Sequence, residues 1–255
     1  MKDAILSHLN EIEQAHHVAI LYACESGSRA WGFPSVDSDY DVRFLYLHLT
    51  QWYLSVEEKR DVIEVPIDKK LDITGWDLRK ALRLFRKSNP PLLEWLGSPV
   101  VYMEKTPLRS KLRTLAAEQY SPLTCYHHYH GTARNHYRQA TEGEGIQLKR
   151  FFYALRTLLA TLWIEAGNGM PPTEFGILFE RMITDPALRA EIETLLTRKQ
   201  AGNERDRNPL SPLVRNFMES ELTRLETPQV ALKNRSAPSD MLDAIFQQTL
   251  TEVWG

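Results

Sequence analysis

The stretch Gly27-Ser28-Arg29-Ala30-Trp31-Gly32-Phe33-Pro34-Ser35-Val36-Asp37-Ser38-Asp39-Tyr40-Asp41-Val42 decides how this chain is read. Val18 to Cys24, just before it, is dense in aliphatic and β-branched residues and predicts a strand that breaks at Glu25-Ser26-Gly27-Ser28. Tyr40 to His48, at its far end, alternates and is rich in Val, Phe, Leu and Tyr, which predicts a second strand. A Gly-Ser turn after one strand and Asp-Tyr-Asp entering the next put a helix start and two carboxylates at one end of a sheet. Side chains at i and i+2 of a strand face the same way, so Asp39 and Asp41 can converge on divalent cations while Tyr40 faces away. Gly27 lets the backbone approach a ligand closely, and the following helix N-terminus offers N–H groups and a positive dipole end to a phosphate. Ser28 adds a hydroxyl donor.

Working outward, Ile5, Leu6, Leu9 and Ile12 suit a short amphipathic helix over residues 4–15. Asp61 to Pro66 and Leu71 to Thr74 read as two more short strands. Leu78, Ala81, Leu82 and Phe85 then recur at helical spacing between Trp76 and Lys87. Asn89-Pro90-Pro91 stops that helix, and Pro91 starts the next through Glu94-Trp95-Leu96. From Thr106 helical patterns dominate, notably Leu148 to Glu165 and Leu210 to Leu225, with breaks at Gly167-Asn168-Gly169, Pro171-Pro172 and Asn208-Pro209. Lys199 to Asn208 reads as an exposed polar loop. The expected fold class is α+β, with a mixed sheet and flanking helices over residues 1–104 and an all-α domain over 105–255.

Composition sets the bounds on function. The chain has 255 residues with 43% apolar content, enough for real cores, and its 31 Lys plus Arg against 33 Asp plus Glu leave a net charge of -2. No global positive field marks a nucleic-acid binder, so any such contact must be local. Cys24 and Cys125 are too few for a disulfide scaffold or a Cys-rich zinc site and point to a reducing compartment. No apolar run approaches the ~20 residues of a membrane span, and Met1-Lys2-Asp3 opens no signal peptide. A cytoplasmic protein with no membrane partner is the expectation.

The deciding stretch resembles the nucleotidyltransferase superfamily that includes DNA polymerase β, whose pattern is a Gly-Ser or Gly-Gly turn, a spacer, Asp-x-Asp, and later a third carboxylate on a neighbouring strand. Asp72, in Lys70-Leu71-Asp72-Ile73-Thr74, fits that third position, and Arg29, Trp31 and Phe33 fit the charged or aromatic spacer. Gly75-Trp76-Asp77-Leu78-Arg79-Lys80-Ala81-Leu82, Ser88-Asn89-Pro90-Pro91-Leu92-Leu93-Glu94-Trp95-Leu96 and Lys149-Arg150-Phe151-Phe152-Tyr153-Ala154-Leu155-Arg156 look like the RNA-repair-pathway polymerase β family. The resemblance implies transfer of a nucleoside monophosphate from an NTP to an acceptor hydroxyl, with two Mg²⁺ ions, replaceable by Mn²⁺, held by Asp39, Asp41 and Asp72. Gly27, Ser28 and Arg29 would then meet the nucleotide. Lys149, Tyr153 and Arg156, at i, i+4 and i+7 on one helix face, would reach the triphosphate in a cleft between the two domains.

Other polar residues receive plainer readings. Asp37 belongs to a turn, and Asp77 is a first-turn helix carboxylate; Asp61, Glu64 and Asp68 are kept out of the site in the same way. Residues 105–156 carry nine Lys or Arg against three acids, interleaved with Tyr126, Tyr129, Tyr137 and four histidines. That pattern suits stacking on unpaired bases, and it equally suits a wet helix face. His127-His128-x-His130 lacks the cysteines and spacing of a zinc site. An RNA 3′ end is the first-choice acceptor, with a protein acceptor as the rival; an inactive nucleotide-binding or antitoxin-like module is the reading from another class.

Overall fold

The aliphatic run from Val18 is hydrogen-bonded along both of its edges in the computed structural model, which describes residues 1–66, 70–202, 205–206 and 209–255. In chain order the first elements are α1 (Lys2–His16), β1 (Val18–Glu25), α2 (Gly27–Trp31), β2 (Tyr40–His48), α3 (Thr50–Tyr53), β3 (Val62–Pro66) and β4 (Leu71–Asp77). They are followed by α4 (Leu78–Arg86), α5 (Pro90–Gly97), β5 (Val101–Glu104) and α6 (Leu108–Gln119). The remainder is α7 (Pro122–Thr141), β6 (Ile146–Gln147), α8 (Leu148–Glu165), α9 (Phe175–Met182), α10 (Pro186–Gln200), β7 (Arg205–Asp206), α11 (Pro212–Arg224) and α12 (Ser239–Trp254).

The chain divides into two compact units that do not follow a single cut. One comprises residues 1–30, 39–120 and 235–255; the other comprises 31–38 and 121–234. The expected break near residue 105 thus moves to 120, because α6 packs against α5 and β1. The terminal helix α12 returns to the first unit through contacts with α4, and its Trp254 indole N–H donates to the carbonyl of His48, at the end of β2, at 2.9 Å.

The first unit is built on a five-stranded sheet of order β3-β4-β2-β1-β5, in which β2 and β4 run parallel and the other pairs antiparallel. One face packs Ile20, Val42, Phe44, Tyr46 and Ile73 against Ile5, Leu9 and Ile12 of α1. Each of those three helix side chains contributes about 1.5–3 kcal/mol by leaving water, enough to fasten α1. The other face carries buried Leu45 and Leu47, with α4 packed on β2 and β4.

Two strand boundaries differ from the sequence reading. Gly75-Trp76-Asp77 continues β4 instead of opening a helix: a Cβ on Gly75 would stand 2.2 Å from the Phe44 ring, and Trp76 lies 3.8 Å, centroid to centroid, from Trp95. Asp77 ends the strand and caps α4, its carboxylate accepting the Arg79 N–H at 2.8 Å. Val101–Glu104, not foreseen as a strand, closes the sheet edge along β1.

The second unit is helical apart from a two-residue ribbon, β6 paired antiparallel with β7, a small departure from an all-α domain. α7 and α8 pack along each other and bury Tyr126, Tyr129, Phe151 and Phe152. The spacer residues Trp31 and Phe33 belong to this unit, with Trp31 edge-on to Tyr153 at 4.8 Å and Phe33 edge-on to Phe175 at 5.4 Å. Lys199 is not in an exposed loop. It lies in α10, 1% exposed, and its ammonium donates to the Phe33 carbonyl. Asp68 and Asn208 fall outside the described residues. Among the described residues no helix is long and apolar enough to cross a membrane.

Candidate active site at the start of β2 and β4

Parallel pairing in register sets Asp41 of β2 directly beside Asp72 of β4. Arg43, two residues beyond Asp41 and so on the same face, bridges them: one Nη lies 3.3 Å from Asp41 Oδ1 and 2.8 Å from Asp72 Oδ2. Its other Nη donates to the Val42 carbonyl at 2.9 Å, which fixes the guanidinium plane. The arrangement faces water, with the Asp41 side chain 31% and the Asp72 side chain 52% exposed. Solvent screening keeps such pairs weak and exchangeable.

The Gly-Ser turn lies against this pair. Gly27 adopts φ +60°, and a Cβ there would fall 2.2 Å from Asp41 Oδ2, so glycine is required both for the backbone conformation and for the close approach. Ser26 N–H donates to the Asp41 carbonyl at 2.8 Å, tying the turn to β2. Ser28 is buried at the start of α2. That helix has only five residues, so its dipole is slight and the turn's own N–H groups are what it offers an anion. Arg29 donates from Nε to the Asp39 carbonyl at 3.1 Å and lays its guanidinium 3.7 Å over the Tyr40 ring.

Asp39 precedes β2, and its exposed carboxylate makes no hydrogen bond or ion pair among the described residues. Among those residues no three His, Cys, Asp or Glu side chains stand close enough to form a ready-made metal cluster. The expected triplet is therefore assembled only as far as Asp41 and Asp72. The donor chemistry of that pair fits Mg²⁺, which takes hard carboxylate oxygens and usually keeps several waters. Arg43 already shows that both carboxylates can reach one cation.

Three further residues, Glu25, Tyr102 and Arg43, support the site, and the sequence reading passed over them. Glu25, the last residue of β1, is 1% exposed; its Oε1 accepts the Asp41 N–H at 2.7 Å and its Oε2 accepts the Tyr102 hydroxyl. Burial raises the Glu25 pKa above the usual carboxylate range, and these two hydrogen bonds oppose the shift. The signal for Arg43 was present in the sequence as Asp39, Asp41, Arg43 at alternating positions. Nothing in the sequence paired Glu25 with Tyr102, 77 residues away.

The α8 residues are distributed differently from the expected exposed face. Lys149 is exposed, Tyr153 is half-buried with its ring 5.5 Å from His136, and Arg156 is fully buried. Arg156 donates from Nε to the Thr173 carbonyl at 3.1 Å and stacks its guanidinium 4.5 Å over Trp31. The helix runs from a wet first turn into the core of its unit, so one geometric face passes from water to interior. The basic stretch 105–156 is also partly spent. Lys105, Arg109, Lys111 and Arg134 pair with Glu13, Glu104, Glu252 and Glu226, and Tyr126, Tyr129 and Tyr137 are buried.

The model of the RNA repair pathway DNA polymerase beta family matches residues 1–248. The uncharacterized protein YcgL of Bacillus subtilis (strain 168) is 46% identical over 255 residues, all of this chain and 98% of that protein. A crystal structure of a nucleotidyltransferase-like protein from Exiguobacterium sibiricum 255-15 aligns over 98% of this chain and 92% of that one at 15% identity, with a TM-score of 0.33. The chain belongs to the RNA repair pathway DNA polymerase beta family.

Proposed function

We propose that this protein transfers a nucleoside monophosphate from an NTP to the hydroxyl of an RNA 3′ end and releases pyrophosphate. The observation that carries the reading is the in-register pair Asp41 and Asp72, held beside the Gly27 turn with a cation between them. Asp41 and Asp72, with Asp39 at the mouth of β2, would hold Mg²⁺. When bound, the ion supplies Lewis-acid stabilisation of charge on the transferred phosphoryl group and lowers the pKa of the attacking hydroxyl.

The chain's own groups do the positioning. The N–H groups of the Gly27-Ser28 turn and the Ser28 hydroxyl receive phosphate oxygens, and the Gly27 backbone allows them close to Asp41. Arg29, anchored on the Asp39 carbonyl and the Tyr40 ring, brings positive charge to the same side. Glu25 and Tyr102 lock the Asp41 backbone, so the carboxylate does not drift as charge builds up. Asp72, the more exposed carboxylate, would take the side toward the acceptor hydroxyl. In the step itself the acceptor oxygen forms a bond to the α-phosphorus, the bond to pyrophosphate breaks, and the hydroxyl proton leaves toward the Asp72 carboxylate.

The family description supports RNA as the acceptor. Incubation with each α-phosphate-labelled NTP, Mg²⁺ and bulk RNA or cell lysate, followed by separation of RNA from protein, tests the reading. Label should enter RNA, and Asp41→Asn should lower the rate by at least about 100-fold, as expected for loss of a charge-stabilising group. Label in protein would move the acceptor to the rival class, and no label in either fraction would refute transfer.

A further inference from the structure

The helix that follows β4 carries more positive charge than its packing explains. Arg79, Arg83 and Arg86 recur at i, i+4 and i+7, so they share one face of α4, and Lys87 follows at its end. Like charges at this spacing destabilise a helix by about 0.2–0.5 kcal/mol per pair. Among the described residues none of the four has a carboxylate within ion-pairing distance. All four line a cavity of about 550 Å³ between α4 and α12, both in the sheet unit, and Asp243 is the acid that lines it with them.

The cavity is built as a groove with an apolar floor. Leu82 and Leu242 are buried beneath it, and Phe246 stands half-buried in its wall with the ring 4.9 Å from Tyr53. Arg79 lies over the same aromatic group, 5.1 Å from the Tyr53 ring and 5.6 Å from Trp52. Arg86 donates to Ser239 Oγ at 3.0 Å, and its carbonyl accepts the Ser236 hydroxyl at 3.0 Å, which holds α12 at the rim. From Arg79 to Lys87 the cations span about 12 Å along the helix axis. A stacked nucleic-acid strand carries about three to four phosphates over that length, whereas a lone phosphate engages only part of the row.

We propose that this groove binds the phosphodiester backbone of a single-stranded nucleic acid, with the four cations on successive phosphates and Phe246 offering a base a stacking surface. A row of cations next to aromatic rings is the combination that holds unpaired strands without sequence preference. The inference stands on charge and shape alone and does not rest on the transfer reaction, so its test uses neither NTP nor metal.

Fluorescence anisotropy of a labelled oligouridylate and an oligothymidylate of about fifteen nucleotides, titrated with the full chain in EDTA, reads it directly. Arg83 and Lys87 are both exposed, so Arg83→Glu/Lys87→Glu should fold as the wild type does, checked by thermal melting. The variant should bind at least about tenfold more weakly, and the slope of log K against log salt should flatten by about 1.4, the value for two lost phosphate contacts on a single strand. Lys2→Glu/Arg113→Glu, also at exposed positions, changes the net charge equally and should bind within about twofold of wild type. Binding of either strand that only the first variant loses supports the groove, and the tighter strand is its occupant. No binding by the wild type, or equal loss in both variants, overturns the proposal.

Discussion

Two sets of cations in this chain are handled in opposite ways. At the start of β2 and β4, Arg43 sits between two carboxylates that water reaches, its charge balanced by neighbours that could as readily hold another cation. In the helical unit, Arg156 and Lys199 are sealed from solvent, held by backbone carbonyls and by the faces of Trp31 and Phe33. A charge taken fully out of water must keep its partners or cost several kcal/mol, so these two buried cations are structural. A charge at a wet carboxylate pair costs little to exchange, and exchange is what a metal-dependent reaction requires.

The largest effect that could break this contrast lies inside the helical unit. Arg156→Ala should destabilise the fold by about 3 kcal/mol, because it leaves a cavity beside Trp31 and takes the donor from the Thr173 carbonyl. Lys149→Ala, seven residues earlier on the same helix but exposed, should change stability by less than about 0.5 kcal/mol. Urea denaturation of both variants measures the pair. Equal stabilities would dissolve the distinction, and a loss of NTP affinity in Lys149→Ala at unchanged stability would give that residue the phosphate-contact role its sequence position suggests.

A smaller effect concerns the far end of β2. His48 stacks on Trp52 at 4.0 Å, and burial, with a lesser push from Lys59 and His16, lowers its pKa from 6.5 to about 4. Between those values the unfolded chain binds the proton and the folded chain does not, so stability falls as pH drops from 6.5 toward 4. His48→Gln should flatten the urea midpoint over that window relative to wild type. An unchanged pH slope would mean that His48 titrates normally in the fold.

The same contrast explains what the sequence disclosed. β1, β2 and the Asp41 position were legible because strand periodicity and the Gly-Ser turn are local, and the family pattern supplied Asp72. Arg43 shared the alternation of Asp39 and Asp41 and could have been read with them. Lys199 could not, because its burial depends on Phe33, 166 residues away, and a run of polar residues around it looks like a loop. The extension of β4 through Asp77 was hidden for a similar reason: the Phe44 ring over Gly75 and the Trp95 ring on Trp76 come from distant segments. The cationic row of α4 was visible as an amphipathic helix, but only the fold shows that, among the described residues, none of its four cations has an ion-paired carboxylate, while Lys105, Arg109, Lys111 and Arg134 of the 105–156 stretch do.

The most direct test of the exchangeable site is Mn²⁺ binding to the full chain, read by the loss of the free-ion electron paramagnetic resonance signal. If Arg43 stands where a divalent cation goes, Arg43→Gln should bind Mn²⁺ several-fold more tightly than wild type, since a competing positive charge is gone, and Asp41→Asn should bind it at least about tenfold more weakly. Identical titrations for wild type and both variants would contradict the account, leaving Asp41, Asp72 and Arg43 as an ordinary surface ion pair at the end of a sheet.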